Sequence, residues 1–256
     1  MSVMAFIQAR IGSTRLPGKV LMDLGGKSVL ERVIQRVLRS RGIDEAIVVT
    51  TLAKRDLSLV RICAERGVRV FCGSEDDVLD RFYQTAKILS PDHIVRITAD
   101  CPVLDPMVVE HVINRHLSSG ADYTSNGLVE RYPDGEDVEV FSFAALQKAW
   151  KDASLVSERE HVTPYIRNHP ELFLLESVIS EKDLSDQRWT LDTDRDYEFL
   201  SALYRELGPE NEYFGMERIL AFLAERKDLR KLNEGIARNE GLAKSLREDR
   251  KISEPR

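Results

Sequence analysis

The chain has 256 residues, 43% hydrophobic and 31% charged, with a formal net charge of −6. That length fits one large α/β domain or two small ones, and the acidic balance excludes a general nucleic-acid surface. No apolar run approaches the length of a membrane helix, and Met1 leads into a strand without a signal-peptide pattern, so a cytoplasmic protein with no membrane partner is expected. Cys63, Cys72 and Cys101 are odd in number, lack metal-like spacing and read as buried thiols.

In chain order, Val3 to Ile7 reads as a buried strand that breaks into Gln8-Ala9-Arg10-Ile11-Gly12-Ser13-Thr14-Arg15-Leu16-Pro17-Gly18-Lys19-Val20. Glycine lets backbone N–H groups approach a ligand, while Arg and Lys supply charge-assisted bonds to anionic oxygens. Such a loop at a strand's C-terminal end is where a phosphate ligand would sit; the alternative is a solvated basic turn. Gln8, Ala9, Arg10, Gly12, Ser13, Arg15 and Lys19 are therefore the candidate nucleotide contacts, with Lys19 an exposed loop cation. A Walker A loop is excluded, because five residues separate Gly12 from Gly18 and Val20 follows Lys19. A dinucleotide fingerprint G-x-G-x-x-G is also absent after this strand.

Val29 to Leu38 has helical spacing, with Val29, Leu30, Val33, Ile34, Val37 and Leu38 on one face. Ala46 to Thr51 is a strand buried on both faces, Asp56 to Arg66 a helix, Val68 to Phe71 a strand, Asp76 to Leu89 a helix and His93 to Thr98 the fourth strand. The alternation predicts an α/β fold, a mostly parallel twisted sheet with helices on both faces. After Thr98, Asp100 stands at a strand end fixed by Pro102, and suits Mg²⁺, which takes one or two carboxylates plus phosphate oxygens. Asp105 reads instead as the cap of a helix beginning at Pro106.

Ala121 to Asn126 reads as a strand and turn, and Asp137 to Phe143 as a half-exposed strand. Ser157 to Arg167 reads as one helix opened by a Ser157/Glu160 capping box. Gln187 to Leu191 is expected as a last strand, ending in Asp192-Thr193-Asp194-Arg195-Asp196. Residues 1–225 form the expected main domain, and 226–256 a charged, solvated helical tail with a frayed end.

The opening Ala9-Arg10 and Ser13-Thr14-Arg15-Leu16-Pro17-Gly18-Lys19 resembles the nucleotide loop of the KDO and acylneuraminate cytidylyltransferases. Asp76-Asp77-Val78-Leu79-Asp80-Arg81, Thr98-Ala99-Asp100-Cys101-Pro102, Asp137-Val138-Glu139-Val140-Phe141 and Arg159-Glu160-His161-Val162-Thr163-Pro164-Tyr165 extend the likeness to the SpsF family of spore-coat polysaccharide synthesis proteins. The resemblance implies a nucleotide-diphospho-sugar transferase fold and a Mg²⁺-dependent transfer of CMP from CTP to a sugar-like acceptor in surface polysaccharide synthesis. It implies catalytic roles for Arg10, Arg15 and Lys19, and metal ligation by Asp100 and Asp192, with Asp194 ambiguous because it replaces the usual proline. It also places Asp137, Glu139, Arg159 and His161 near the acceptor, although alternating acids on an exposed strand and a histidine beside acids equally suit structural roles. A homodimer is allowed for. The rival readings are a glycosyltransferase of the same architecture, for which an Asp-x-Asp motif is lacking at Thr98-Ala99-Asp100-Cys101, and a catalytically silent scaffold.

Overall fold

The computed structural model describes residues 1–252. In chain order it runs β1 (Val3–Gln8), α1 (Val29–Val37), β2 (Glu45–Thr51), α2 (Leu57–Glu65), β3 (Arg69–Gly73), α3 (Val78–Leu89), β4 (His93–Thr98) and α4 (Pro106–Ser119). There follow β5 (Tyr123–Ser125), β6 (Glu139–Ser142), α5 (Phe143–Asp152), α6 (Val156–His161), α7 (Pro164–Asn168), β7 (Leu175–Ser177), α8 (Asp194–Leu207), α9 (Met216–Glu225), α10 (Lys227–Arg230) and α11 (Glu240–Arg247).

The strands form one seven-stranded sheet in the order β3-β2-β1-β4-β6-β5-β7. Pairing is parallel except where β6 runs antiparallel to β4 and β5. Successive side chains on a strand point to opposite faces, and β1 shows the consequence. Ala5 and Ile7 pack with α1, α2 and α4, while Phe6 packs with α3 and α5 on the other face. Phe6 is fully buried, and truncating such a ring costs about 3–5 kcal/mol. A third cluster joins α8 and α9 to Trp189 and Leu191.

Local signals set the helix starts. Ser28 and Glu31 form a capping box on α1, and Asp105 accepts from Met107 N at 2.8 Å to cap α4, as expected. Three expectations fail. β6 is buried on both faces rather than half-exposed, because α4 and α5 cover it. Residues 157–167 are two short helices, not one, and Glu158 rather than Glu160 folds back onto the backbone at 154 and 155. The break is Val162, at φ 72° and ψ −54°, where Thr163 N donates to His161 O at 2.9 Å. That is a γ-turn of the rare, strained kind, held by complete burial of the Val162 side chain. Finally, residues 187–191 join no ladder: their one β-bridge is Asp134 to Arg188, and Leu191 N bonds to Asp100 O instead of to a neighbouring strand.

Candidate active site

The chain runs outward from β1 through β2 to β3, then returns to place β4 on the other side of β1. Ligands in such sheets bind beyond the C-terminal strand ends at this switch point. Gln8 and Thr98 are register partners there, so the loop after β1 and the segment carrying Asp100 leave the sheet side by side. Gly18, at φ 74°, turns the loop back in a conformation that disfavours other residues, and Lys19 follows in a single 3₁₀ turn.

Lys19 is only 8% exposed, not the exposed cation that the loop's composition suggested. Its Nζ donates to Asp100 Oδ2 at 2.6 Å and to Asp192 Oδ1 at 2.7 Å. Arg15 reaches the same Asp192 oxygen at 2.8 Å. Burial favours neutral forms, but here the opposite charges win. The carboxyl of Asp100, raised by burial, is brought down by Lys19 to about 2, and the Lys19 ammonium, lowered by burial, is raised by Asp100 and Asp192.

Asp192 arrives here without a preceding strand. Leu191 N donates to Asp100 O at 2.9 Å, tying the two aspartate segments backbone to backbone. Arg188, buried, binds Asp134 at 2.7 Å, Asp192 at 3.3 Å and Asp196 at 2.9 Å. Asp196 also accepts from Asp192 N and Thr193 N, so it braces the Asp192 turn, while Asp194 lies exposed at the start of α8. The close approach needs Gly135, whose Cβ position would lie 2.7 Å from the Trp189 and Thr190 backbone.

The cavity has two lobes. One, of about 440 Å³, is bounded by Gln8, Arg10, Ser13, Arg15 and Lys19, facing His161 and Lys244. Arg10 makes no side-chain hydrogen bond or ion pair among the described residues. Ala9 is buried, its N–H donating to Val49 O, and Gly12 packs against Arg55. The other lobe, of about 230 Å³, is bounded by Arg96, Asp134, Asp137, Glu139, Thr163 and Arg167, with Asp100 and Asp192 at the junction.

Of the expected acceptor residues, three reach this second lobe. Glu139 is the register partner of Arg96 and accepts from it, from Tyr123 Oη at 2.6 Å and from Thr163 Oγ1 at 2.5 Å. Burial alone would raise its carboxyl, but Arg96 and Arg167 outweigh that and lower it. Asp137 pairs with Arg238, and His161 Nε2 lies 2.9 Å from Ser245 Oγ. Burial and the cations Arg96 and Arg10 lower the His161 imidazole against the pull of Glu160 and Glu139. Arg159 does not line either lobe. It grips Asp77 through two nitrogens and donates to Trp150 O at 2.7 Å, joining α6 to α3 and α5.

Sequence reasoning missed Arg96, Asp134, Arg167, Arg188 and Lys244. Only the third dimension shows their convergence, although Arg96 and Glu139 could have been paired once β4 and β6 were aligned. Asp134 is pushed up to about 7 by burial and by Asp137, against the attraction of Arg188 and Arg238. Arg81, 1% exposed, finds no hydrogen-bond partner for any guanidinium nitrogen among the described residues. Burial and neighbouring Arg10 lower it to about 10.

No group of three or more His, Cys, Asp or Glu is arranged to hold a metal among the described residues. Asp100 and Asp192 nevertheless present two hard oxygens to one point, marked by Lys19 Nζ. That donor set fits Mg²⁺ when phosphate oxygens complete the shell. Nor is any helix among the described residues long and apolar enough to cross a membrane.

Sheet order, switch-point crevice and cation-lined loop together mark the ligand end of an α/β fold of the nucleotide-diphospho-sugar transferase type. Residues 4–232 match the cytidylyltransferase family, and the chain belongs to it. It is 37% identical over 224 residues to the spore coat polysaccharide biosynthesis protein SpsF of Bacillus subtilis, spanning 85% of this chain and 92% of that protein. A cytidylyltransferase structure from Leptospira borgpetersenii, 31% identical, superposes with a TM-score of 0.86 over 93% of this chain and 99% of that one. A CMP:2-keto-3-deoxy-manno-octonic acid synthetase solved with CTP shares the fold at 17% identity and a TM-score of 0.61, over 81% of this chain and 100% of that one.

Proposed function

We propose that the protein transfers CMP from CTP to an oxygen of an anionic, sugar-like acceptor, with release of pyrophosphate, in surface polysaccharide synthesis. The observation that carries this reading is the convergence of Arg15, Lys19, Asp100 and Asp192 at one end of the sheet, with Arg10 beside them unpaired. Membership of the cytidylyltransferase family supports a preference for cytidine, and the synthetase solved with CTP is a precedent for that ligand on this fold.

Asp100 and Asp192 would hold Mg²⁺, which when bound neutralises phosphate charge. Arg10 and Arg15 would bind the triphosphate, and Lys19, released from the carboxylates, would bind the oxygens that gain charge as pyrophosphate leaves. Arg167, whose side chain makes no hydrogen bond or ion pair among the described residues, would attract an acid or phosphate group of the acceptor. The 440 and 230 Å³ lobes meet at Asp100 and Asp192, which suits in-line attack across that junction.

The test is a pyrophosphate-release screen of CTP, UTP, ATP and GTP, each with Mg²⁺, against 2-keto sugar acids and sugar phosphates. Release with CTP and one acidic acceptor supports the reading. Turnover of a nucleotide sugar with no triphosphate activity would replace it with a glycosyltransferase.

A further inference from the structure

The segment after Arg226 is not a single solvated tail; the last four residues of that expected tail, 253–256, lie outside the described residues. It folds back across the cavity mouth and is fastened on both sides. Before α11, Arg238 binds Asp137 and donates to Tyr132 O at 2.9 Å. Beyond α11, Asp249 accepts from Ser157 Oγ at 2.6 Å, Val156 N donates to Arg250 O at 3.0 Å, and Ile252 N donates to Ser154 O at 2.9 Å.

Between these anchors α11 bears on the candidate site itself. Glu240 accepts from Arg15 at 3.2 Å, and Ser245 joins His161 to Glu160. α11 has no buried residue, so a hydrophobic face does not account for its position. Polar contacts with the site account for it instead.

Lys244 is the residue this arrangement leaves over. It borders the larger lobe together with Arg10, Arg15 and Lys19, and has no side-chain partner among the described residues. The nearby carboxylates of Glu240 and Glu160 are taken by Arg15 and Ser245. Glu248, one turn on, also borders the lobe but makes no ion pair with Lys244. Before any ligand enters, Lys19 and Arg15 are already paired with aspartate. The uncommitted cations of this lobe are therefore Arg10 on the sheet side and Lys244 on the strap side.

We infer that residues 238–252 are a strap that completes the nucleotide site, and that Lys244 binds the β- and γ-phosphates of the bound triphosphate. Arg10 and Lys244 hold the triphosphate from opposite walls. The inference rests on the nucleotide reading and adds to it a ligand from outside the 4–232 family match.

Calorimetric titration of the full chain with CTP·Mg²⁺ and with CMP·Mg²⁺ tests it. Lys244→Ala should weaken CTP about tenfold and leave CMP unchanged, as expected for one charge-assisted phosphate contact. Lys244→Arg should restore most of the loss. Hydrogen exchange of residues 238–252 should slow with CTP and much less with CMP. Unchanged CTP affinity in Lys244→Ala, or equal losses for CTP and CMP, would overturn the role of Lys244. Strap exchange indifferent to CTP would overturn the strap's part in the nucleotide site. A wild-type chain that binds none of the four triphosphates would remove the nucleotide reading and this inference together.

Discussion

Lys19 and Asp192 are 173 residues apart in the chain, yet Nζ and Oδ1 lie 2.7 Å apart in a buried ion pair that also takes in Asp100. The lysine occupies the point where the two carboxylates would hold a metal. Removing one partner of a buried pair costs about 3–5 kcal/mol, because the remaining charge is left uncompensated. Lys19→Ala should therefore abolish turnover and lower the melting temperature as well. Added Mg²⁺ should raise the melting temperature of Lys19→Ala more than that of the wild type, since the metal then replaces the ammonium. Thermal melts with and without Mg²⁺ check this, and equal shifts in the two proteins would refute it.

Glu139 is the counter-ion of Arg96 and accepts from Tyr123 and Thr163. Glu139→Gln keeps the shape but leaves Arg96 unpaired. We expect a loss of about 3 kcal/mol in urea unfolding, larger than for Asp137→Asn at the more exposed Arg238 pair. Losses no larger than those of Asp137→Asn would show that the buried Arg96 pair is not the stronger support of the fold.

Arg159 ties α6 to α3 and α5 and lines neither lobe of the cavity. Arg159→Ala should lower stability by about 2–4 kcal/mol, leaving Asp77 and the Trp150 carbonyl without their donor, while the folded fraction keeps its KM for the acceptor. A raised acceptor KM at full stability would restore the expectation drawn from the resemblance.

Asp134, raised to about 7, gives a pH signature of defined sign. Between the unfolded carboxyl pKa, about 3.9, and 7 the native state holds a proton that the unfolded state has released. This residue's contribution to stability therefore falls as pH rises through that window. Asp134→Asn, which resembles the protonated acid, should gain stability relative to wild type between pH 4 and pH 8. Denaturation at the two ends of the range reads this directly, and a parallel pH dependence would contradict it.

Much of the fold was legible because β1 through α4 obey local rules. The strands are apolar runs, the helices have a 3.6-residue period, and Asp105 announces its own cap. The loop's role was legible from glycine, hydroxyl and cation density. Legibility failed where non-local packing overrides local pattern. Val162 adopts a strained turn held by complete burial of its side chain, although Pro164, which suits a first helical turn and not a helix interior, signals that a second helix starts there. Gln187 to Leu191 looks like a strand but spends its backbone on Asp134 and Asp100 instead of a ladder. Charged composition made residues 226–252 read as solvated, whereas Arg238, Glu240 and Ser245 are committed to partners 101, 225 and 84 residues away in sequence.

The most direct measurement is a calorimetric titration of CTP into wild type, Asp100→Asn, Asp192→Asn and the double variant, with and without Mg²⁺. The wild type should bind CTP more tightly with Mg²⁺ than without, and more tightly than ATP or GTP. Each single variant should lose the Mg²⁺ enhancement, and the double variant should be scarcely worse, because two carboxylates on one ion act as a unit. Retention of the enhancement in Asp192→Asn, losses that multiply in the double variant, or a preference for a purine triphosphate would contradict it.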